Sequence, residues 1–520
     1  MRTDDASGTS YDELPYRSRF TAMSHPDRLA TMAVLHGLTP PPVARCRVLE
    51  IGCADGGNLM TMAQSLPGAS FVGIDLSTRQ VAEGRAAADA LGFDNVELKA
   101  LNLADVDESF GRFDYIVCHG VYSWVPAPVR EKLLEVCARN LAPNGVAYVS
   151  YNVYPGWHVR GMVREMMLYH TRGIADPEAR VREARGLVDF LARTAVPQDG
   201  YYALALKHEA RQLGKSRDTY VFHEHLEADN EPVYFHEFVD RAAAAGLNYL
   251  APARFDIREV TLAPEAAQAL AQLGADRVRR EQYLDFLFNR TFRQTLLCRA
   301  ENVPLNGPTP SSLRALRFTA LARPDSPTTD VRSEAQEPFV SVFGDRLSVG
   351  QPLLKAALIA LQSRWPLSAG FDELHADVLA RLGRASGDAD GFATFLLQGH
   401  LANLVELHTD DPPVTAEPGD RPRAGALARR DAAAGSRVIS LRGGAVLLQD
   451  VDRLILSLLD GTRTRADVVN VLASQVADGR LQMHRDGRLL TDPAEARPLL
   501  DETVAEAFQR LTADALFLAG

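Results

Sequence analysis

Cysteine, lysine and long apolar runs are all scarce in this chain of 520 residues. The five cysteines include no C-x-x-C pair, so the sequence offers neither a disulfide framework nor a redox or zinc motif. No window approaches the roughly 18 apolar residues that cross a bilayer, and the first 30 residues lack an apolar signal segment. We therefore expect a soluble cytoplasmic protein with no membrane partner.

Positive charge is also in deficit. Lysine and arginine total 56 against 67 acidic residues, and the formal net charge of −11 argues against nonspecific binding to nucleic acid or to a membrane surface. Only five of the basic residues are lysines, a pattern typical of genomic codon bias. Apolar residues make up 46% and charged residues 24%, as in folded chains, and the length suggests roughly three to four domains.

Strand and helix patterns alternate between residues 45 and 170. Helix-like segments of about 10–15 residues separate five short apolar runs, which are RVLEIG, FVGIDLS, NVELKAL, FDYIVCHG and GVAYVSYN. This alternation predicts an α/β fold in which helices cover both faces of a doubly wound, Rossmann-like sheet.

Helical periodicity dominates from Gly156 to about Arg299 and predicts a mostly helical region after the sheet. Within it, LNYLAPARFDI could return a late strand, so residues 230–260 are candidates to complete the first sheet. Proline- and glycine-rich stretches at about 301–312 and at Asp410–Gly435 are interpreted as linkers. The segments that follow them are expected to form small α+β modules, the last of them similar to a winged helix.

A glycine-rich turn follows the first predicted strand, in VLEIGCADGGN at residues 48–58. Glycine lets the backbone approach a ligand closely, and the following helix offers free N–H groups. Asp75 ends the second strand, where a carboxylate can accept hydrogen bonds from ribose hydroxyls. The turn carries Ala54 between Gly52 and Gly56 instead of G-x-G-x-x-G, which disfavours an NAD-dependent dehydrogenase.

This turn resembles motif I of the class I S-adenosylmethionine-dependent methyltransferases, an acidic-apolar-G-x-G-x-G run. The resemblance implies S-adenosyl-L-methionine as the cofactor, with Glu50 near its methionine end and Asp75 on its ribose. Asn102 follows the third strand, where the family places an acid or amide against adenine. The resemblance and the neighbouring positions give these candidate cofactor-binding residues: Tyr16, Glu50, Gly52, Cys53, Gly56, Asp75, Leu76, Asn102, Leu103 and His119.

Longer stretches narrow this resemblance. The stretches are YDELPYRSRF, CHGVYSWVP, LAPNGVAYVSYNVYPGWHVRG, EPVYFHEFVDRAAAAGLNYLA and DFLFNRTFRQTLLCR. In them the chain is similar to bacterial methyltransferases that carry a methyltransferase regulatory domain. This group includes lysine methyltransferases of bacterial outer-membrane proteins. The similarity covers about residues 11–300, and LLDGTRTR resembles the C-terminal module of the same group. Five units are expected: a cofactor-covering arm (1–44), a methyltransferase core (45–170), a helical regulatory domain (171–305), an α/β module (313–409) and a winged-helix-like module (436–520).

The methyl acceptor is expected at the carboxyl ends of the fourth and fifth strands, where open α/β sheets bind ligands. Methyl transfer from a sulfonium needs mainly alignment and desolvation. The candidate catalytic residues are His119, Tyr122, Trp124, Tyr154 and Trp157. The aromatic rings could stabilise a cation, and His119 could take the acceptor's proton. Packing of a lid and capping of a strand end are the alternative interpretations.

A run of histidines and an acid, Phe222-His223-Glu224-His225, invites a metal interpretation. No third ligand follows at a set spacing, so we predict no metal site and interpret the run as a polar contact between domains.

The resemblance favours methyl transfer to a protein lysine. A small-molecule O- or N-methyltransferase of secondary metabolism and a catalytically silent cofactor-binding interaction protein remain as alternatives. HGVYSW stands where an N-P-P-[YF] signature would follow the fourth strand, which disfavours the DNA- and glutamine-methylating classes. The expected partners are a protein substrate or a small-molecule acceptor, with a homodimer left open and no nucleic acid.

Overall fold

The structure is a computed structural model that describes residues 18–256, 258–259, 262–273, 276–326, 328–342, 344–485 and 487–520. Tyr16, predicted to cover the cofactor, lies outside the described residues. Within these ranges, no helix has both the length and the apolar character that crossing a bilayer requires.

A seven-stranded sheet organises the first 300 residues. Its strands are β1 (Arg47–Ile51), β2 (Ser70–Asp75), β3 (Val96–Ala100), β4 (Phe113–Cys118), β5 (Leu141–Asn152), β6 (Leu247–Pro252) and β7 (Phe292–Arg299). They lie in the order β3-β2-β1-β4-β5-β7-β6, parallel from β3 to β5, with β7 antiparallel to both of its neighbours. Nearly every position of β1 and β4 is buried, as in the centre of a sheet covered on both faces. The predicted Rossmann-like α/β fold is confirmed.

Helices connect the parallel strands and continue as a helical segment. Those around the first strands are α1 (Pro26–Leu35), α2 (Gly57–Ser65), α3 (Thr78–Leu91) and α4 (Ala127–Asn140). The helical segment comprises α5 (Trp157–His170), α6 (Pro177–Thr194), α7 (Tyr201–Lys215), α8 (Asp218–His225), α9 (Phe235–Ala244), α10 (Pro264–Gln272) and α11 (Arg277–Phe288). Local signals set their ends: Ser77 Oγ accepts the Gln80 N–H at 3.1 Å to begin α3, and Gly92 ends it in the left-handed region.

The last two strands of the sheet come from the segment expected to be helical. LNYLAP, for which a late strand was left open, forms the edge strand β6. Residues 292–299, assigned by the sequence analysis to the helical domain, instead form β7 between β5 and β6. Asn289 adopts φ +46 and ends α11, after which Leu296 and Leu297 become fully buried. This insertion gives the sheet its single reversed strand.

The rest of the chain forms two further modules. The middle module contains β8 (Arg317–Ala320), β9 (Ala322–Pro324), β10 (Glu337–Ser341), β11 (Arg346–Val349), α12 (Pro352–Gln362), β12 (Ala369–Gly370), α13 (Phe371–Leu382), α14 (Ala389–Leu401) and β13 (Val405–His408). The C-terminal module contains α15 (Ala426–Ala434), β14 (Arg437–Ile439), β15 (Ala445–Leu447), α16 (Asp450–Leu458), α17 (Arg465–Ala477), β16 (Met483–Arg485), β17 (Arg488–Leu490) and α18 (Pro493–Ala513).

The stretch interpreted as a second linker is part of the folded C-terminal module. Residues 426–434 form α15, in which Ala428 and Ala432 are buried in the module's own core. The linker prediction is wrong there because small alanine side chains, common in linkers, also let a helix pack closely against its neighbours.

The middle module shares a hydrophobic core with the methyltransferase sheet. One continuous cluster of buried side chains includes Leu29 of α1, Phe71 of β2, Tyr148 of β5 and Phe318 of β8. The backbone reinforces the junction, since the Leu305 N–H donates to the His36 carbonyl at 2.8 Å. The two segments therefore form one packed body.

Candidate active site

The turn between β1 and α2 has the left-handed backbone that its glycines predict. Gly52 has φ +76 and Gly56 has φ +71. A Cβ on Gly52 would lie 2.4 Å from Val121 Cγ2, so only glycine fits there. Ala54 also adopts a positive φ, +52, a conformation that residues other than glycine rarely adopt.

Asp75 holds this turn against the end of β2. One carboxylate oxygen accepts the Ala54 N–H and the other accepts the Ser77 N–H, each at 2.9 Å. The next side chain, Leu76, is 60% exposed, which leaves an apolar surface beside the carboxylate. In such an arrangement the carboxylate can accept hydrogen bonds from ribose hydroxyls, and the apolar side chain can contact the flat base attached to the ribose.

Glu50 lies buried under the turn with half of its carboxylate unpaired. Oε1 accepts a hydrogen bond from Asn58 Nδ2 at 2.8 Å, whereas the buried Oε2 has no hydrogen-bond partner among the residues that the structure describes. Burial raises the pKa of Glu50 to about 8, and the negative charges of Asp75 and Asp55 add to the rise against the effect of Asn58. A ligand that brings a positive charge or a hydrogen-bond donor to Oε2 would stabilise the ionised form of this carboxyl group.

The end of the N-terminal arm lies across the same turn. The Thr21 N–H donates to Asn58 Oδ1 at 2.9 Å, and Asn58 Nδ2 lies 3.2 Å from Ser24 Oγ. The Ser18 N–H donates to Asp55 Oδ1 at 3.0 Å. Sequence reasoning missed Asn58, because an asparagine in the first turn of a helix has no distinctive local pattern.

The remaining predicted cofactor residues near this turn differ in their exposure to solvent. Cys53 is buried, burial raises the pKa of its thiol well above the usual value, and its sulfur packs where a Cβ of Gly73 would lie. Asn102 is exposed, and its Oδ1 accepts the Ala104 N–H at 2.9 Å. Leu103 is buried beside it.

His119 follows the end of β4 and contacts a residue of β5. Its Nδ1 lies 2.9 Å from the Tyr148 hydroxyl, and its ring meets that of Phe292 edge-on at 6.1 Å. Burial lowers the pKa of His119 to about 4, so the imidazole is neutral at pH 7. The next residue, Gly120, donates its N–H to Ser150 Oγ at 2.8 Å.

Two of the four predicted acceptor-side aromatics are core residues. Tyr122 is fully buried, with ring centroids 5.8 Å from Tyr151 and 5.1 Å from Phe238. Trp157 is 1% exposed and lies 6.4 Å from the half-buried Trp124. The short 3-10 turn Tyr122–Trp124 folds back onto the sheet, which turns the Tyr122 side chain inward.

Tyr154, like Trp124, is a predicted aromatic that remains partly open. Its ring stacks on His158 at 4.1 Å and lies 5.3 Å from Tyr234. The sequence analysis missed His158 and Tyr234, although the spacing of Tyr154 and His158 at the start of a helix could have suggested their contact.

The run at 222–225 forms the end of α8. His223 Nδ1 lies 2.8 Å from Glu227 Oε1 within its own chain segment. Across the described ranges, no group of three histidine, cysteine or acidic side chains is arranged to hold a metal ion.

Three family models match separate parts of the chain. A model described as a methyltransferase domain matches residues 49–147, and a predicted methyltransferase regulatory domain matches residues 217–299. A model described as the C-terminal winged-helix domain of PKMT matches residues 420–516.

Two of three similar proteins span nearly the whole chain, and the third spans less than half of it. An uncharacterized protein of Rickettsia prowazekii, RP789, is 32% identical and is aligned over 99% of this chain and 94% of its own length. A second one, RP028, is 40% identical over 45% of this chain and 93% of its own length. The solved structure of PKMT2 from Rickettsia typhi in complex with AdoHcy has a TM-score of 0.84 and 30% identity, covering 97% of this chain and 100% of that one.

The fold, the turn and the domain matches define an S-adenosylmethionine-dependent methyltransferase with a class I sheet. Within that class, the chain belongs to the methyltransferase family that includes PKMT2 of Rickettsia typhi.

Proposed function

We propose that this enzyme transfers a methyl group from S-adenosylmethionine to the side-chain amine of a protein lysine. The observation that carries the proposal is the match to PKMT2 along nearly the entire chain, including the C-terminal module that matches the PKMT winged-helix model. A relative that shares only the sheet would leave the substrate class open.

The residues around the turn fit the cofactor. The unpaired Oε2 of Glu50 can accept from the cofactor's ammonium, and the Asp75 carboxylate can accept from its ribose hydroxyls. Gly52 and Gly56 permit the left-handed backbone of the turn, while Leu76, Asn102 and Leu103 follow β2 and β3 and would border the adenine. When bound, the cofactor supplies an already activated methyl group, so the protein's main tasks are alignment and exclusion of water.

His119 orients the acceptor amine in this proposal. A lysine amine must lose its proton before it can act as a nucleophile. The neutral imidazole of His119 can accept a hydrogen bond from that amine, but a pKa of about 4 makes it a weak base. The amine's proton therefore passes to solvent. His119 orients the amine and does not act as the base that keeps the proton.

Labelled cofactor tests the acceptor class directly. Purified enzyme, methyl-labelled S-adenosylmethionine and cell lysate should give label in protein that mass spectrometry locates on lysine. Asp75→Asn serves as a variant impaired in cofactor binding. Label confined to a small-molecule fraction would instead support the secondary-metabolism alternative.

We further propose a cytoplasmic homodimer. All five cysteines are free and buried, which suits a reducing compartment. Helices α6 and α7 expose large apolar side chains, among them Phe190, Tyr201 and Leu204, which a second copy would cover. Light scattering coupled to size-exclusion chromatography should give twice the mass of 56.8 kDa, whereas the mass of a single chain would reject the dimer.

A further inference from the structure

Tyr154, His158 and Tyr234 form a partly open aromatic cluster that the cofactor does not require. Tyr154 and His158 are stacked nearly parallel, with an interplanar angle of 17°. The Tyr234 ring is inclined at 47° to that of Tyr154, and its hydroxyl lies 3.2 Å from His158 Nε2. Tyr154 and Tyr234 are half-buried and His158 is exposed, so part of the cluster remains open to a ligand beside the mutually stacked rings of Tyr154 and His158.

The backbone fixes this aromatic cluster at the acceptor end of the sheet. The Tyr154 N–H donates to the Val233 carbonyl at 3.1 Å, and Val153 forms a parallel bridge with Val233. Tyr154 follows β5 by two residues, at the same end of the sheet as His119, which follows β4. The segment that carries Tyr234 is thereby held beside the end of β5.

Several carboxylates act on Tyr154 in this cluster. Burial raises the pKa of Tyr154, and Glu231, Glu165 and Glu237 add to the rise through their charges. Glu231 is paired with Arg130 and Arg241, and Glu237 accepts the Tyr234 N–H at 3.0 Å. Electron-rich rings with carboxylates nearby attract a cation and repel an anion.

We propose that Tyr154, His158 and Tyr234 form a subsite for a methylated ammonium group, which retains a lysine after its first methylation for a further transfer. This inference rests on the proposed lysine specificity. Each methyl group removes an N–H donor and adds apolar surface while the protonated amine keeps its charge. Aromatic faces bind such a group, whereas a carboxylate that needs N–H donors loses its partners.

The chemistry of each round is the same. The amine first loses a proton to water, its lone pair then forms the new C–N bond as the S–C bond of the cofactor breaks, and neutral S-adenosylhomocysteine leaves. The trimethylammonium product has no proton to lose and ends the sequence. A subsite that favours methylated amines thus raises the fraction of lysines that proceed beyond one methyl group.

Binding of Nε-trimethyl-L-lysine tests the subsite without turnover. The full-length enzyme, saturated with S-adenosylhomocysteine, is titrated with this amino acid and with its neutral isostere, in which carbon replaces the charged nitrogen. We expect the cation to bind at least about fivefold more tightly, since each aromatic face contributes roughly two- to fivefold. Tyr234→Leu should remove most of this preference, and Tyr154→Phe, which keeps the ring, should retain it.

Three results decide the inference. Equal binding of the cation and its isostere to the wild-type enzyme overturns the subsite. An unchanged preference in Tyr234→Leu, with unchanged affinity for S-adenosylhomocysteine as evidence of folding, also overturns it. On protein substrate, Tyr234→Leu should accumulate monomethyllysine, and an unaltered product distribution overturns the retention role. If the wild-type enzyme methylates no protein lysine, the proposed function is rejected. The binding measurement still tests the subsite in that case, because it does not depend on turnover.

Discussion

His408 donates a hydrogen bond from Nδ1 to the Asp27 carboxylate at 2.9 Å, which joins the helix before the methyltransferase sheet to the last strand of the middle module. The same carboxylate accepts the Thr409 N–H at 2.6 Å and the Thr409 hydroxyl at 2.7 Å. Burial opposes ionisation of Asp27, but the hydrogen bonds and charge of His408, with His25 and Thr409, hold its pKa well below the usual range.

Asp27→Asn should destabilise the enzyme. The substitution removes the charge that accepts these hydrogen bonds, and we expect the free energy of unfolding to fall by about 2–3 kcal/mol. Chemical denaturation measures this loss. Asp390→Asn is the matched control, because the same change then affects only an exposed ion pair with Arg314.

The loss also has a defined pH dependence. A carboxyl with a lowered pKa stabilises the fold above the unfolded pKa of about 4 and loses that contribution as the pH falls through its folded pKa. The difference between wild type and Asp27→Asn should stay constant from pH 7 to pH 5 and shrink only below about pH 4. A difference that already disappears at pH 6 would contradict the assignment to Asp27.

Asp75→Asn should weaken cofactor binding. The neutral amide is a poorer acceptor for ribose hydroxyls, and hydrogen bonds to a charged group contribute about 1.5–3 kcal/mol each. Calorimetry should show at least a roughly tenfold loss of affinity for S-adenosylhomocysteine. Asp107→Asn provides the control, because exposed Asp107 likewise accepts the N–H two residues ahead, from Ser109 at 2.9 Å. Unchanged binding in Asp75→Asn would remove Asp75 from the cofactor site.

Glu50 should make cofactor affinity depend on pH. With its pKa at about 8, Glu50 holds a proton at neutral pH, and a ligand ammonium beside it favours release of that proton. Affinity for S-adenosylhomocysteine should therefore rise as the pH increases from 6.5 to 8, by at most about tenfold per unit. Calorimetry in buffers of different ionisation enthalpy counts the released protons.

Glu50→Gln should abolish this proton release. Glu97→Gln is a suitable control, since Glu97 is exposed and pairs with Lys99 at 3.0 Å on β3. Proton release that persists in Glu50→Gln would assign the effect to another group.

Tyr122 should matter for stability more than for chemistry. Truncating this buried ring to alanine should lower the free energy of unfolding by about 3–5 kcal/mol. Tyr122→Phe keeps the ring and should change turnover by less than about threefold. A much larger loss of turnover at unchanged stability would return Tyr122 to the acceptor site predicted from the sequence.

Local patterns in the sequence were sufficient to predict the first five strands and the turn with Gly52, Gly56 and Asp75. These features lie close together in the chain, and each depends on backbone geometry that a few residues determine. The left-handed backbone at Gly52 and Gly56 also depends on this short stretch alone.

Contacts between distant segments could not be predicted in this way. Tyr122 becomes a core residue because Phe238, from α9, packs against its ring. The strand β7 depends on insertion between β5 and β6. Partners such as Asp27 and His408, 381 positions apart, leave no shared pattern in a single sequence.

The contacts of the arm connect the glycine-rich turn to the middle module, so we expect cofactor binding and packing of that module to stabilise each other. Asn58 links Glu50 and the turn to Thr21 and Ser24, and the chain continues directly into α1 with Asp27. Coupling between two sites acts equally in both directions. If the middle module stabilises the ordered turn, a cofactor bound at the turn therefore stabilises the module by the same free energy. The Thr409 amide should consequently exchange its hydrogen more slowly when S-adenosylhomocysteine is bound, although it belongs to a different module from the glycine-rich turn.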